Sequence, residues 1–289
     1  MDFATFLVQC LNSVQYGLLL FLVASGLTLI FGIMGVINLA HGSFYMMGAY
    51  LAFSLSPLFG QGFLPMLLAG VVLSAIFGYV LEWAFFSYLY QRDHLQQVLM
   101  TYGLILVFEE MRSLLVGNDV HGVPVPAWLA GSIPLGELMG YPVYRLFASA
   151  ACIVVAVALY WVVNRTRLGM MIRAGASNRD MVRGLGIDIK TLYRVVFAGG
   201  VALAALAGMI AAPMSSVYPG MGASVLIICF VVVVIGGIGS ITGALVASLL
   251  VGFVDTFGKV FFAEYSGIGV YLLMAIILVW RPEGLMKIR

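Results

Sequence analysis

The 289-residue chain is 63% hydrophobic and 9% charged, with a mean hydropathy of +1.11. Soluble domains carry about 25% charged residues, so this composition excludes one and makes the bilayer the solvent. The net charge of +2 defines no partner, and its distribution offers no surface for a nucleic acid.

Nine apolar segments are predicted in chain order, at 6–32, 36–56, 63–88, 95–117, 143–163, 191–213, 222–238, 241–261 and 266–281. Most approach the roughly 20 residues that span a bilayer. No Lys or Arg precedes Arg92, so the first segment lacks the basic start of a signal peptide and is read as a retained helix. The expected fold is an all-α polytopic membrane protein, one transmembrane domain over 1–289 with about 8–9 transmembrane helices. An eight-span alternative makes 36–56 or 222–238 re-entrant.

The most polar stretch is 164–194. It holds Arg165, Arg167, Arg173, Arg179, Arg183, Lys190 and Arg194 against only Asp180 and Asp188. A basic loop between apolar spans reads as cytoplasmic. Met171, Ala174, Asn178, Met181, Leu185 and Asp188 recur there at helical spacing, which predicts a short amphipathic helix closed by Gly184 and Gly186. The link Gln91-Arg92-Asp93-His94 and the tail with Arg281, Lys287 and Arg289 supply two further cytoplasmic points. Counting crossings between these points puts the N-terminus outside and the C-terminus in the cytoplasm. The loop 118–142, with Pro124, Pro126, Trp128 and Pro134 and no Lys or Arg, is then external.

Two glycine-rich breaks resemble each other, Phe31-Gly32-Ile33-Met34-Gly35-Val36-Ile37-Asn38 and Ile235-Gly236-Gly237-Ile238-Gly239-Ser240-Ile241-Thr242. An internal repeat is one reading of them; chance recurrence of glycine breaks, which membrane proteins tolerate where the freed backbone is buried, is the other. The first leads into Asn38, His41 and Ser43. Polar groups at membrane depth are costly unless they pair or meet water, so these three are candidates to line a path, or to bond helices together. Thr101, Tyr102 and Thr242 are weaker candidates for the same path.

Glu109 with Arg112 and Asp255 with Lys259 have the spacing of intrahelical ion pairs, and Glu82 falls near an inner helix end. None of these sits alone at a predicted bilayer centre, which speaks against a proton or sodium relay. There is no nucleotide loop, since Val260 follows Gly258-Lys259, and no H-E-x-x-H. His41, His94 and His121 are dispersed, and Cys10, Cys152 and Cys229 read as small buried hydrophobes. Nothing here is an enzyme or binds a metal, and pumping requires energy from another chain.

The run from Gly26 through Phe31-Gly32-Ile33-Met34-Gly35-Val36-Ile37-Asn38-Leu39-Ala40-His41-Gly42 closely resembles a signature of LivH-type permeases, the inner-membrane subunits of branched-chain amino acid ABC importers. Val234 through Gly239-Ser240-Ile241-Thr242-Gly243-Ala244 resembles their second signature. Arg173-Ala174 through Leu185-Gly186-Ile187 resembles the segment, within a cytoplasmic loop at 164–190, that docks onto the ATPase. It differs from the EAA-type pattern of other importers in having Ala174-Gly175-Ala176 without the Glu.

The resemblance covers the whole chain and implies a multi-pass protein of the bacterial inner membrane. It implies a second homologous permease, two ABC ATPases that hold the ATP and magnesium, and a periplasmic substrate-binding protein; this chain itself would hold no cofactor. Arg173, Ala174, Asn178, Asp180, Met181, Leu185 and Gly186 are the implied docking residues. The contrasting reading is an ATP-independent channel or secondary transporter for a small polar solute such as urea or an amide.

Overall fold

Among the described residues, each apolar segment of the sequence contains a helix, although 36–40, at the start of the second, is not helical. The computed structural model describes residues 3–60, 62–90, 92–134 and 140–286. Its helices are α1 (Phe3–Met34), α2 (His41–Phe59), α3 (Phe63–Ala84), α4 (His94–Val116), α5 (Val143–Arg165), α6 (Arg167–Ser177), α7 (Arg179–Gly184), α8 (Ile189–Ser215), α9 (Met221–Gly236), α10 (Ile241–Phe261) and α11 (Ser266–Trp280). Gln91, Lys287 and Arg289 lie outside the described residues, and at Asp180 only the backbone is described.

Five helices are long and apolar enough to cross a membrane: α1, α3 with the turn that follows it, α5, α8 and α10. The apolar α9 and α11 are shorter, at 16 and 15 residues.

Two helices form the centre. Helix α1 is buried almost without interruption from Gly17 to Ile30, and α8 is buried over most of its length. Lipid would accept an apolar helix on any side, so the burial of these two reflects close packing rather than hydropathy. Helix α1 packs against α10 and α8, while α8 also receives α2 and α3.

Small residues make these crossings close. A methyl group on Gly48 would overlap the Ala205 carbonyl oxygen, and one on Gly208 would overlap that of Tyr45. Backbones therefore touch where α2 crosses α8, the packing mode that dispersion favours in lipid. Helices α3, α4, α5 and α11 carry exposed rows such as Leu68, Val72 and Ile76, or Val154, Val157 and Trp161.

The two glycine-rich breaks share a helix cap but not a course. Gly35 (φ +64°) stops α1 and Gly237 (φ +95°) stops α9, and each donates its N–H to the carbonyl four residues back, at 2.9 and 3.0 Å. A left-handed residue in this position is the usual glycine stop signal. After Gly237 the chain turns at once: Ser240 N bonds the Gly237 carbonyl, and Ser240 Oγ accepts from Gly243 N at 3.0 Å to cap α10. After Gly35 the chain instead runs back along α1 before α2 begins.

The loop after α4 folds over the end of α8. His121 and Val217 exchange backbone hydrogen bonds of 2.7 and 2.8 Å, and the His121 ring stacks on Phe53 at 4.3 Å. Strands Ser132–Pro134 and Gly140–Pro142 form a short antiparallel hairpin.

Candidate functional site

Segment 35–40 joins two levels of the molecule. At its start, Gly35 lies against the guanidinium of Arg179, the first residue of α7. At its end, His41 Nε2 lies 2.9 Å from the Val23 carbonyl, eleven residues before the end of α1. At a rise of 1.5 Å per residue, that is a return of about 16 Å into the bundle.

The climb is held by local bonds. Asn38 Oδ1 accepts from Ala40 N at 3.0 Å, and His41 N bonds the Asn38 carbonyl at 3.3 Å. Because Val23 offers only an acceptor, the His41 Nε2 carries the proton. Asn38, His41 and Ser43 are buried, and Asn38 Nδ2 and His41 Nδ1 have no hydrogen-bond partner among the described residues.

Among the described residues, the other path candidates share no hydrogen bond with this break, although Gly32 at its start lies against Gly239. Thr101 is fully buried, but its hydroxyl bonds back to Gln97 and Val98 carbonyls of its own helix, at 3.0 and 3.1 Å. Tyr102 is exposed on the outer face of α4. Thr242 is exposed in the first turn of α10, its hydroxyl 3.4 Å from Ser240 Oγ.

The basic stretch forms two helices where periodicity predicts one. Asn178 divides them: it ends α6, and its side chain accepts from Met181 N at 2.9 Å to start α7. Asn offers the backbone a local acceptor and so favours a cap over a helix interior. Asp188 lies outside this hairpin and caps α8, accepting from Lys190 N at 3.0 Å and from the Thr191 hydroxyl at 2.6 Å. The Thr191 hydroxyl above all, and the N–H groups beside it, hold the Asp188 carboxyl below the usual carboxylate range.

The outer surface of the hairpin is both apolar and basic. Met170, Met181 and Leu185 are exposed by 60, 66 and 74%. Arg173 is exposed and also donates to the Val163 carbonyl; Ala174 is half-buried. Gly186 (φ +84°) closes the hairpin.

The expected ion pairs form, Glu109 with Arg112 at 3.0 Å and Asp255 with Lys259 at 2.5 Å. One pair was not foreseen. Glu82, 1% exposed, meets Arg194 at 3.3 Å and accepts from the Tyr90 hydroxyl. Their distance in sequence hid them; the signal was an acid in an apolar helix and a basic residue in the first turns of another.

Residues 9–278 match the family model described as branched-chain amino acid transport system, permease component. The chain is 30% identical to the high-affinity branched-chain amino acid transport system permease protein BraD of Pseudomonas aeruginosa, over 97% of this chain and 95% of that one. It is 27% identical to LivH of Escherichia coli, over 99% and 96%, and 27% identical to LivM of the same organism, over 90% and 66%. Both are named high-affinity branched-chain amino acid transport system permease proteins.

Proposed function

Because the chain belongs to the branched-chain amino acid transport permease family, we propose that it is a permease subunit of an ABC importer, moving branched-chain or related amino acids across the bacterial inner membrane. The observation that carries this is the contact of the exposed α6–α7 hairpin with Gly35. It joins a surface suited to a cytoplasmic partner to the break at Asn38 and His41.

In this reading the hairpin, within a loop at 164–190 of a single permease domain, docks on an ATPase. Met181, Leu185, Arg173, Ala174 and Asp180 belong to the docking surface, and Asn178 and Gly186 set its shape. Two ATPases bind ATP and magnesium, a second permease related to LivM completes the membrane part, and a periplasmic binding protein delivers substrate. The chain itself carries no cofactor and no enzyme activity. It crosses the membrane eight or nine times, with the N-terminus outside and the C-terminus in the cytoplasm. Asn38, His41 and Ser43 lie on the route, with Thr101, Tyr102 and Thr242 along its margins.

Mechanistically, closure of the ATPases displaces the hairpin, Arg179 transmits this to Gly35, and the six-residue climb shifts against α1. Such a strap can move without breaking a helix. Purification of the tagged chain from native membranes in mild detergent tests the assignment. Recovery with two ATPases and a second permease is expected. Recovery of this chain alone, still transporting after reconstitution without ATP, overturns it in favour of a channel or secondary carrier.

A further inference from the structure

Between α2, α3, α4 and α8 lies a cavity of about 420 Å³, within the size range of small-molecule sites. Helix α4 buries little of itself against its neighbours, so the cavity has one wall that can move. Its walls are apolar, with Met47, Leu51, Leu73 and Met111 among them.

Three polar groups are set into that apolar lining. Tyr50 and Ser74 are 6 and 4% exposed; the Ser74 hydroxyl has no hydrogen-bond partner among the described residues, and the buried Tyr50 hydroxyl faces the Arg112 guanidinium. Both residues line the cavity, as does Arg112. Buried hydroxyls are rarely left unpaired, because each forfeits its bonds to water.

Arg112 is itself well buried and fixed. Nε bonds Glu109 Oε2 at 3.0 Å, Nη1 the Gly117 carbonyl at 2.7 Å and Nη2 Asn118 Oδ1 at 3.0 Å. Its guanidinium lies 5.7 Å from the centre of the Tyr50 ring. A guanidinium has five N–H donors; these bonds use three and leave one on each terminal nitrogen. A carboxylate can accept from both of them. Glu109 neutralises the local charge, so the site suits a net-neutral molecule better than an anion.

The end of the cavity towards His41 is aromatic. Phe44 and Phe77 each contact Phe108, at 6.0 and 5.9 Å between ring centres. Phe44 also lies edge-on to His41, at 5.9 Å.

We infer that this cavity is a transit site for an apolar amino acid zwitterion, above an aromatic barrier that separates it from the break at His41. The carboxylate meets the two remaining N–H groups of Arg112, and the ammonium meets the hydroxyl oxygens of Tyr50 and Ser74. The side chain fills the methionine- and leucine-lined space. The inference rests on the importer reading, since it names where the transported molecule pauses.

The test uses the whole complex, with its ATPases, second permease and binding protein, in proteoliposomes, and compares leucine with alanine uptake. Ser74→Leu fills the cavity and is expected to lower leucine uptake at least tenfold while affecting alanine less, with the complex recovered in equal yield. Should that variant fail to assemble, Tyr50→Phe, which deletes one hydroxyl, is expected to raise the KM for leucine about tenfold. Unchanged leucine kinetics in an assembled variant overturn the site. So does native mass spectrometry that finds a lipid retained there in the wild type and lost in Ser74→Leu, with uptake unaltered. If the wild-type complex moves no amino acid at all, the importer reading fails and takes the site with it.

Discussion

Arg179 and Gly35 meet where the polar hairpin touches the end of α1: a methyl group on Gly35 would stand 2.7 Å from Arg179 Nη2. Gly35 also has φ +64°, so a side chain there is strained by its own backbone before it reaches the arginine. One position thus terminates α1, starts the climb to His41 and receives the only arginine of the hairpin described in contact with it.

Replacing Arg179 with Ala is expected to preserve complex yield but to reduce substrate uptake per ATP hydrolysed severalfold, because the hairpin loses its hold on the strap. Gly35→Ala should lower both coupling and stability. Parallel assays of ATP hydrolysis and uptake in proteoliposomes check this; a wild-type ratio in Arg179→Ala removes Arg179 from the transmission.

Glu82 and Arg194 form a pair in which the carboxylate is buried and the guanidinium partly exposed. Arg194→Met leaves the buried Glu82 carboxylate with only the Tyr90 hydroxyl and is expected to lower the unfolding midpoint, whereas Glu82→Leu with Arg194→Met should recover most of that loss. Thermal unfolding of the four proteins in one detergent gives the coupling; a double variant whose loss equals the sum of the two single losses would show that the pair does not act as a unit.

At the α2–α8 crossing, Gly48→Ala places a methyl group against the Ala205 backbone, which cannot rotate aside as a side chain could. Overpacking of this kind costs about 1–3 kcal/mol, so a lower unfolding midpoint is expected. An unchanged midpoint would mean that the two helices separate without penalty.

Asp188 caps α8 as a carboxylate with a depressed pKa. The sign follows from the depression: the cap's contribution is complete above the unfolded pKa and is lost as pH falls through the lower folded value. Asp188→Asn keeps the acceptor without the titration. Hydrogen exchange at residues 189–192 should therefore become faster with acid in the wild type, relative to intrinsic exchange rates, and stay level in the Asn variant.

The sequence by itself determined that the chain is a helical membrane protein, roughly where its apolar helices lie, and that residues 164–194 form a polar outlier. These follow from hydropathy and charge, which act on local segments and survive without knowledge of neighbours. The signature from Gly26 to Gly42 also marked the break that the structure places at the heart of the bundle. The i, i+3 and i, i+4 ion pairs were legible because helix geometry fixes them.

Only the tertiary structure decided what meets across helices. Periodicity could not foresee that Asn178 would divide the hairpin, since a side chain that caps one helix must end another. Nor could it bring Glu82 to Arg194, set Tyr50, Ser74 and Arg112 around one cavity, or carry the strap from Gly35 back to Val23. Segments far apart in sequence come together through backbone contacts at small residues such as Gly48 and Gly208, and the crossing point of two helices is a property of both surfaces at once.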